Sequence, residues 1–550
     1  MYAPFPRVSN PGPSDSSKNE MGRGAEAFGF GPLLSKFEIG SRDSVHTFNC
    51  GAPPIYIKVC KMKGVVNMDP IKAKALEGVD AKKDIYADAN DRIWEYAETA
   101  FEEFKSMDKL CELLESNGFK VEKGLGDIAT AFKGTYGSGK PVIGILGEFD
   151  ALSGLSQEAS IAVKKPIVPG AGGHGCGHNC FGVASVGGAI AAKEYLEASG
   201  KSGTIIFFGT PGEEGGSGKA FMAREGVFAG MDVALAWHPG TTNGIMTGSY
   251  LANVQVKYNF KGVSAHAAGD PHLGRSALDA VELMNVGVQF LREHMIDQAR
   301  VHYAIIDTGG YSPNVVQPTA SVLYLIRSPQ NSQVQELYER VNKIARGAAL
   351  MTETELEIDF VKGCSNVVVN TTLEKALYKN MEENPVPTYT DEEKAFAAEI
   401  VKSYENPGNE AEKMMAMYGS YMTEEVEAKL KAKPSLNDFL MPFMSSNQVM
   451  AGSTDVGDVS WVAPTAQMRA VTTAAGTPGH SWQFVVCNKT SIAHKGVVYA
   501  AKVLGGTAID LFNEPETVEA AKAEWSKRLN GEGYKCPIPA GVKPRAIGQL

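Results

Sequence analysis

Cysteine is scarce in this sequence, with eight residues among 550. That is too sparse for a disulfide framework, so a reducing, cytoplasmic setting is expected and each cysteine reads as core or ligand rather than crosslink. No apolar run reaches the roughly 18 residues that a membrane-crossing helix needs, and no cleavable signal is evident, so no membrane partner is expected. A basic excess is also missing. Lys and Arg number 53 against 63 Asp and Glu, a formal net charge of −10, which argues against nucleic acid and leaves small molecules as the expected partners. No fixed period recurs, which excludes a solenoid. What is present is ordinary globular material, 43% apolar and 21% charged, in a length that suits about two to four domains with a sizeable core.

The chain divides by composition. Residues 1–65 read as an irregular extension, with seven prolines in the first 60 residues and no sustained periodicity; Glu20, Glu26 and Glu38 interrupt the basic residues that a presequence needs. A first catalytic segment is expected over 66–249. It opens with a helix-like stretch from Ala81 to Asn117, and the short apolar runs Ile128–Phe132, Val142–Leu146, Thr204–Gly209 and Val233–Trp237 read as strands. Helix-like segments Phe181–Ala198 and Ser217–Gly226 lie between the later ones. This alternation predicts an α/β domain with a largely parallel sheet, whose ligands sit at the carboxyl ends of the strands. Residues 250–365 run strand, helix, strand, strand, helix, strand, a ferredoxin-like βαββαβ pattern. Residues 366–550 then return to the first domain, with a charged helical insertion near 386–445 that holds Lys394–Tyr404 and Glu424–Lys431. The ferredoxin-like unit is predicted to interrupt a sheet split across the chain.

Three strand-end or loop sites carry chemistry. In Gly173-His174-Gly175-Cys176-Gly177-His178-Asn179-Cys180, a thiol and an imidazole sit two residues apart among glycines that let the backbone approach an ion. Cys180 fits either a structural zinc site with Cys176 or a core thiol, and the core reading is preferred. In Thr210-Pro211-Gly212-Glu213-Glu214, adjacent carboxylates after a strand point in different directions, so one suits a metal and the other a general base. Trp237-His238-Pro239-Gly240 ends a third apolar strand with a histidine. His46, His174, His272, His294, His302 and His494 read as loop or helix-surface residues, and Cys50, Cys60, Cys111, Cys364, Cys487 and Cys536 as structural.

Gly177-His178-Asn179, the run from Pro211 to Lys219, Ser264-Ala265-His266-Ala267-Ala268 and the run from Gly452 to Asp458 together resemble the aminoacylase and carboxypeptidase-G type metallohydrolases, most closely the group that cleaves p-aminobenzoyl-glutamate. The resemblance covers roughly residues 80–530. It implies a metallopeptidase-type catalytic α/β sheet domain with an inserted ferredoxin-like dimerisation or lid domain. It also implies a centre of Cys176, His178, Glu214, His238 and His480 holding one or two divalent ions, manganese or zinc. Glu213 would be the base toward the attacking water, and Asp150 would hold a ligand or the metal in place. Familiar members carry a His two residues before that Asp, where Glu148 stands here. His266 resembles the histidine that reaches into a neighbouring protomer and stabilises the oxyanion. Asn314 and Arg327 are candidates for gripping a substrate carboxylate, with Arg275 a weaker one.

The expected activity is metal-dependent hydrolysis of the amide bond of a small N-acyl amino acid, such as p-aminobenzoyl-glutamate. The alternatives are a dipeptidase acting on a basic or β-amino residue, and a non-catalytic chain with a structural metal site. A homodimer is expected, with a heteromer containing a related chain as the other arrangement.

Overall fold

The computed structural model describes residues 68–405 and 408–549. The extension over 1–65, with His46, Cys50 and Cys60, lies outside the described residues.

The strands in chain order are β1 (Lys120–Lys123), β2 (Phe132–Ser138), β3 (Val142–Gly147), β4 (Gly203–Gly209), β5 (Val233–Gly240), β6 (Gly244–Met246), β7 (Ser249–Tyr250), β8 (Ala252–Lys261), β9 (Arg300–Asp307), β10 (Thr319–Ser328), β11 (Glu355–Cys364), β12 (Val449–Met450) and β13 (Thr465–Val471). Seven of them form one sheet in the order β1-β2-β4-β3-β5-β13-β6. Its centre, β4-β3-β5-β13, is parallel, and the flanking strands are antiparallel. The central strands are almost wholly buried, as strands covered on both faces must be, and β3 and β4 are rich in Ile, Val, Leu and Phe.

Two long helices, His178–Ser199 and Ser491–Asn513, lie against each other and against this sheet. Their small residues let them approach closely: a Cβ on Gly188 would come within 2.9 Å of Leu504, and one on Gly505 within 2.8 Å of Ala191. A helix buried nearly all round, as His178–Ser199 is, has no polar face to set its register, so this fit of small residues does so.

The second sheet, β11-β8-β10-β9, is fully antiparallel and is packed by the helices Ala277–Leu291 and Asn331–Thr352. β8 and β10 alternate buried and half-buried residues, the period-2 signature of a sheet with one covered face. Where the chain enters this unit, β7 pairs in parallel with β12 from the returning segment.

Several expectations need correction. The helix-like stretch from Ala81 is two helices, Lys83–Tyr96 and Phe104–Ser116, preceded by Pro70–Ala81. The break has a backbone cause: Ala97 and Phe101 take left-handed conformations, at φ 45° and 67°. Apolar periodicity continues through such a break and hides it. The run from Ile128 is a turn feeding β2 at Phe132. The insertion near 386–445 holds three α-helices, Asp391–Lys402, Glu410–Tyr418 and Glu424–Lys431. The middle one is hard to read from sequence, because Met414, Met415 and Met417 leave only a weak polar face.

Candidate metal centre

Every candidate ligand comes from the carboxyl edge of the parallel strands. Glu148 and Asp150 follow β3, Glu213 and Glu214 follow β4, His238 lies near the end of β5, and His480 follows β13. Cys176 and His178 come from the loop that starts the long helix at His178. Gly177 makes this possible: it takes φ 78°, and a Cβ there would come within 2.8 Å of Pro239. His480 is also left-handed, at φ 56°, a conformation that costs a non-glycine residue roughly 1–2 kcal/mol. Its N–H donates to Gly175 O at 3.0 Å, which ties the two ligand loops together.

The donor atoms form three close triads, two of which share one thiol. Cys176, His178 and His238 make the first, Cys176, Glu214 and His480 the second, and Glu148, His178 and Glu213 the third, with all donors in each triad within 4.8 Å of one another. Asp150 orients two of these residues. Its Oδ1 accepts from His178 Nδ1 at 3.0 Å, and its Oδ2 accepts from Glu214 N–H at 2.8 Å. His238 Nδ1 is bonded to its neighbour's carbonyl, Pro239 O, at 2.7 Å, which leaves Nε2 facing Cys176 Sγ at 3.4 Å.

The residues present fit a divalent ion, on an observation internal to the site. His178 Nε2 and Glu214 Oε1 are fully buried and have no hydrogen-bond partner. Glu148 Oε2 lies 3.1 Å from the first and His480 Nε2 3.0 Å from the second, within ion-pair distance. Buried polar atoms left this way cost about 1–3 kcal/mol each unless something takes their lone pairs. Thiolate, imidazole and carboxylate donors converging here are suited to a borderline metal.

Electrostatics separate the two glutamates. Burial, then Glu214, Glu148 and Asp455, raise Glu213 well above the usual carboxylate range. Burial acts on Glu214 in the same direction, but His480 and His178 hold it below its ordinary value. One carboxylate is thus held as an anion while its neighbour is biased to hold a proton. Burial also pushes the Cys176 thiol up and, with His178 and Arg469, lowers His238 to about 3, so His238 is a neutral imidazole.

Sequence reasoning missed the buried charges beneath this cluster. Lys219 Nζ lies 2.6 Å from both Glu148 Oε1 and Asp455 Oδ1, and its backbone N–H donates to Asp455 Oδ2 at 2.9 Å. Glu148 therefore pairs with an ammonium group. Glu103 accepts from Gly212 N–H at 2.9 Å, from Phe101 N–H and from Thr130 Oγ1, propping the loop that carries Glu213; burial, with Asp150, pushes it up to about 8. His174 is buried, not on the surface, and contacts Ile93 O at 3.0 Å. The available signal for Lys219 was a lysine amid small and apolar residues on a short helix. Glu103 and His174 gave none, since their partners lie far away in sequence.

The structure does not bring the remaining candidates to the cluster. His266 is exposed, its Nδ1 accepting from Ala268 and Gly269 N–H at 3.2 and 2.9 Å. Asn314 lies beside it, its carbonyl accepting from Ala267 N–H at 2.9 Å. Arg327, at the end of β10, donates from Nη1 to Ser453 Oγ at 3.1 Å across to the returning segment. Arg275 is occupied by Glu353 at 2.8 Å. Cys180 is a core thiol near Asn488, so it is not paired with Cys176.

The pattern of Peptidase family M20/M25/M40 matches residues 146–439, which span the glutamate pair, His238 and the inserted unit. The chain belongs to this family. It is a metal-dependent hydrolase of amide bonds. Among M20 relatives, it is 48% identical over 473 residues to a subunit of the p-aminobenzoyl-glutamate hydrolase of Escherichia coli (strain K12), covering 86% of this chain and 98% of that protein. It is 26% identical over 487 residues to Xaa-Arg dipeptidase of Mus musculus, covering 84% and 94%. The M20 fold is shared with the crystal structure of an aminobenzoyl-glutamate utilization protein from Klebsiella pneumoniae, at a TM-score of 0.53 and 17% identity over 79% of this chain and 97% of that one. No described helix is long and apolar enough to cross a membrane.

Proposed function

We propose that the chain hydrolyses the amide bond of a small N-acyl amino acid, with p-aminobenzoyl-glutamate as its substrate. The observation that carries this reading is the near full-length 48% identity to part of a hydrolase named for that substrate. Cys176 belongs to two of the close donor groups, an arrangement that would suit one or two divalent ions. Thiolate and imidazole suit zinc, while the surrounding carboxylates suit manganese.

A divalent ion held by Cys176, His178, His238, Glu214 and His480 would supply Lewis acidity, polarising the amide carbonyl and acidifying water. Glu213 takes the proton of the attacking water and hands it to the leaving nitrogen, a task that suits a carboxyl whose surroundings raise its pKa. Asp150 fixes the His178 ring so that Nε2 faces the centre. Because Nδ1 of His266 accepts two backbone N–H groups, its proton sits on Nε2, free to donate to an oxyanion. Asn314 and Arg327 hold the substrate's α-carboxylate.

His266 has no catalytic neighbour in its own chain among the described residues, so it serves the site of a second copy. An apolar face supports this. Edge strand β9 exposes Tyr303, Ile305 and Ile306, and the adjoining helix exposes Leu283, Val286 and Phe290. A related chain in place of the second copy is the other outcome of a mass measurement, since the relative is named as one subunit of its enzyme. The six described cysteines are all free, in keeping with a cytoplasmic setting.

The test is to purify the chain alone, strip it with chelator, restore manganese or zinc, and assay p-aminobenzoyl-glutamate beside a panel of Xaa-Arg dipeptides. Metal-dependent turnover of the first is the expected result. Preference for the dipeptides would overturn the substrate, and no turnover by metal-loaded protein would overturn catalysis by this chain alone.

A further inference from the structure

Among the described residues, one cation beside the centre makes no hydrogen bond. Arg469 is a charged residue in the middle of β13, a strand otherwise buried. In the parallel ladder it stands level with His238, so the two side chains share a face, and on its other side it is level with Gly244 of β6. The row across the sheet is therefore His238, Arg469, Gly244.

Both glycines around Arg469 make room. A Cβ on Gly240 would fall 2.4 Å from Arg469 Cδ and 3.0 Å from Nε, so the arginine stem lies over Gly240, past His238 toward the carboxyl ends of the strands. A Cβ on Gly244 would meet Met441 at 3.1 Å and the Tyr418 hydroxyl at 3.3 Å, so the helical insertion forms a wall next to the guanidinium. Arg469 makes no side-chain hydrogen bond and no ion pair among the described residues, and its Nε is buried. The nearest acid on the wall, Glu410, feels its charge but bonds elsewhere: its Oε1 accepts from Thr241 Oγ1 at 2.5 Å. A guanidinium with a buried, unbonded nitrogen is costly to keep unless an anion visits it.

We propose that Arg469 binds a second carboxylate of the substrate, the side-chain carboxylate of its amino-acid half, and so sets the preference for an acidic residue. This deepens the function proposed above and rests on it. A planar fork suits a carboxylate through two parallel hydrogen bonds. Arg327 lies at the end of β10, in the other lobe, and is bonded to Ser453, so the two arginines offer separate places for the two carboxylates of a glutamyl substrate.

The experiment uses the metal-loaded full chain and compares kcat/KM for p-aminobenzoyl-glutamate and for p-aminobenzoyl-glutamine, in which the side-chain acid is an amide. In Arg469→Met, the preference for acid over amide should fall by roughly 100-fold, mostly through KM. Arg469→Lys keeps the charge and the stem and should lower it by about tenfold; if the Met variant fails to fold, the Lys variant gives the answer. An unchanged acid-to-amide ratio in the folded variant overturns the proposal. Should the wild type hydrolyse neither compound, the functional reading fails by itself. Calorimetric binding of free L-glutamate against L-glutamine then tests Arg469 directly: loss of the glutamate preference in Arg469→Met upholds the role, and equal preference in both proteins overturns it.

Discussion

The strand-edge cluster and the loops of the inserted unit are built in opposite ways. At the strand edge, His178, Asp150, Glu148 and Lys219 are buried, His178 bonded to Asp150 and Glu148 paired with Lys219. In the inserted unit, His266 and Asn314 are exposed, on two loops that bond to each other through Ala267 N–H and Asn314 O. The first region must hold donor atoms in place against their mutual repulsion, which demands a packed, charge-balanced surround. The second carries no such surround and stays open to solvent, as the composite site proposed above would need.

The sharpest way to break this contrast is at the base. Glu213→Gln keeps shape and should lower kcat by roughly 10²–10⁴-fold while metal content, read by elemental analysis, stays at the wild-type level; near-normal turnover would remove Glu213 from the mechanism. His266→Ala should lower kcat by about 10²–10³-fold with the oligomer intact in light scattering. Mixing that variant with Glu213→Gln and allowing exchange should restore activity to the hybrid, in which one composite site is whole. Failure of the mixture to recover would place His266 in its own chain's site. Asp150→Asn should weaken metal affinity by about 10–100-fold in a chelator competition, and unchanged affinity would show that the buried carboxylate does not orient the ligands.

The smallest effect concerns the cost of buried charge. Burial, against hydrogen bonds from Ser365 and Tyr534, pushes Asp458 up to about 7. Its folded form therefore binds a proton that the unfolded chain, titrating near 4, has lost, so this group's contribution to stability falls as pH rises from about 4 to 7. In Asp458→Asn the decline of unfolding free energy between pH 5 and 8, followed by urea titration, should be shallower. An equal slope in both proteins would mean that the carboxyl is not held protonated.

Legibility in the sequence followed the range of the interaction. The strand-end clusters around Cys176, Glu213 and His238 stood out because local spacing and neighbouring glycines mark them, and the alternation of periods pointed to both sheets. Asp150, His266 and His480 have no local mark and depended on the family resemblance. Glu103 was invisible and Lys219 only faintly marked, because their partners, Gly212 and Asp455, are brought to them only by folding. The break after Tyr96 escaped for a different reason: left-handed Ala97 and Phe101 are set by their surroundings rather than by residue type.

The strand order carries a consequence for how the molecule comes into being. β13 lies between β5 and β6, yet the ribosome completes those two strands, the whole inserted unit and the helical insertion before Thr465 can meet its partner Ala234. His480 is made later still. A nascent chain therefore emerges with an open slot in its sheet and an incomplete cluster of candidate donors until synthesis is nearly over. Such late, long-distance strand insertion is slow and leaves β5 exposed to wrong pairing. The inserted unit, whose strands pair only among themselves, can fold in the meantime and keep the waiting segments close together.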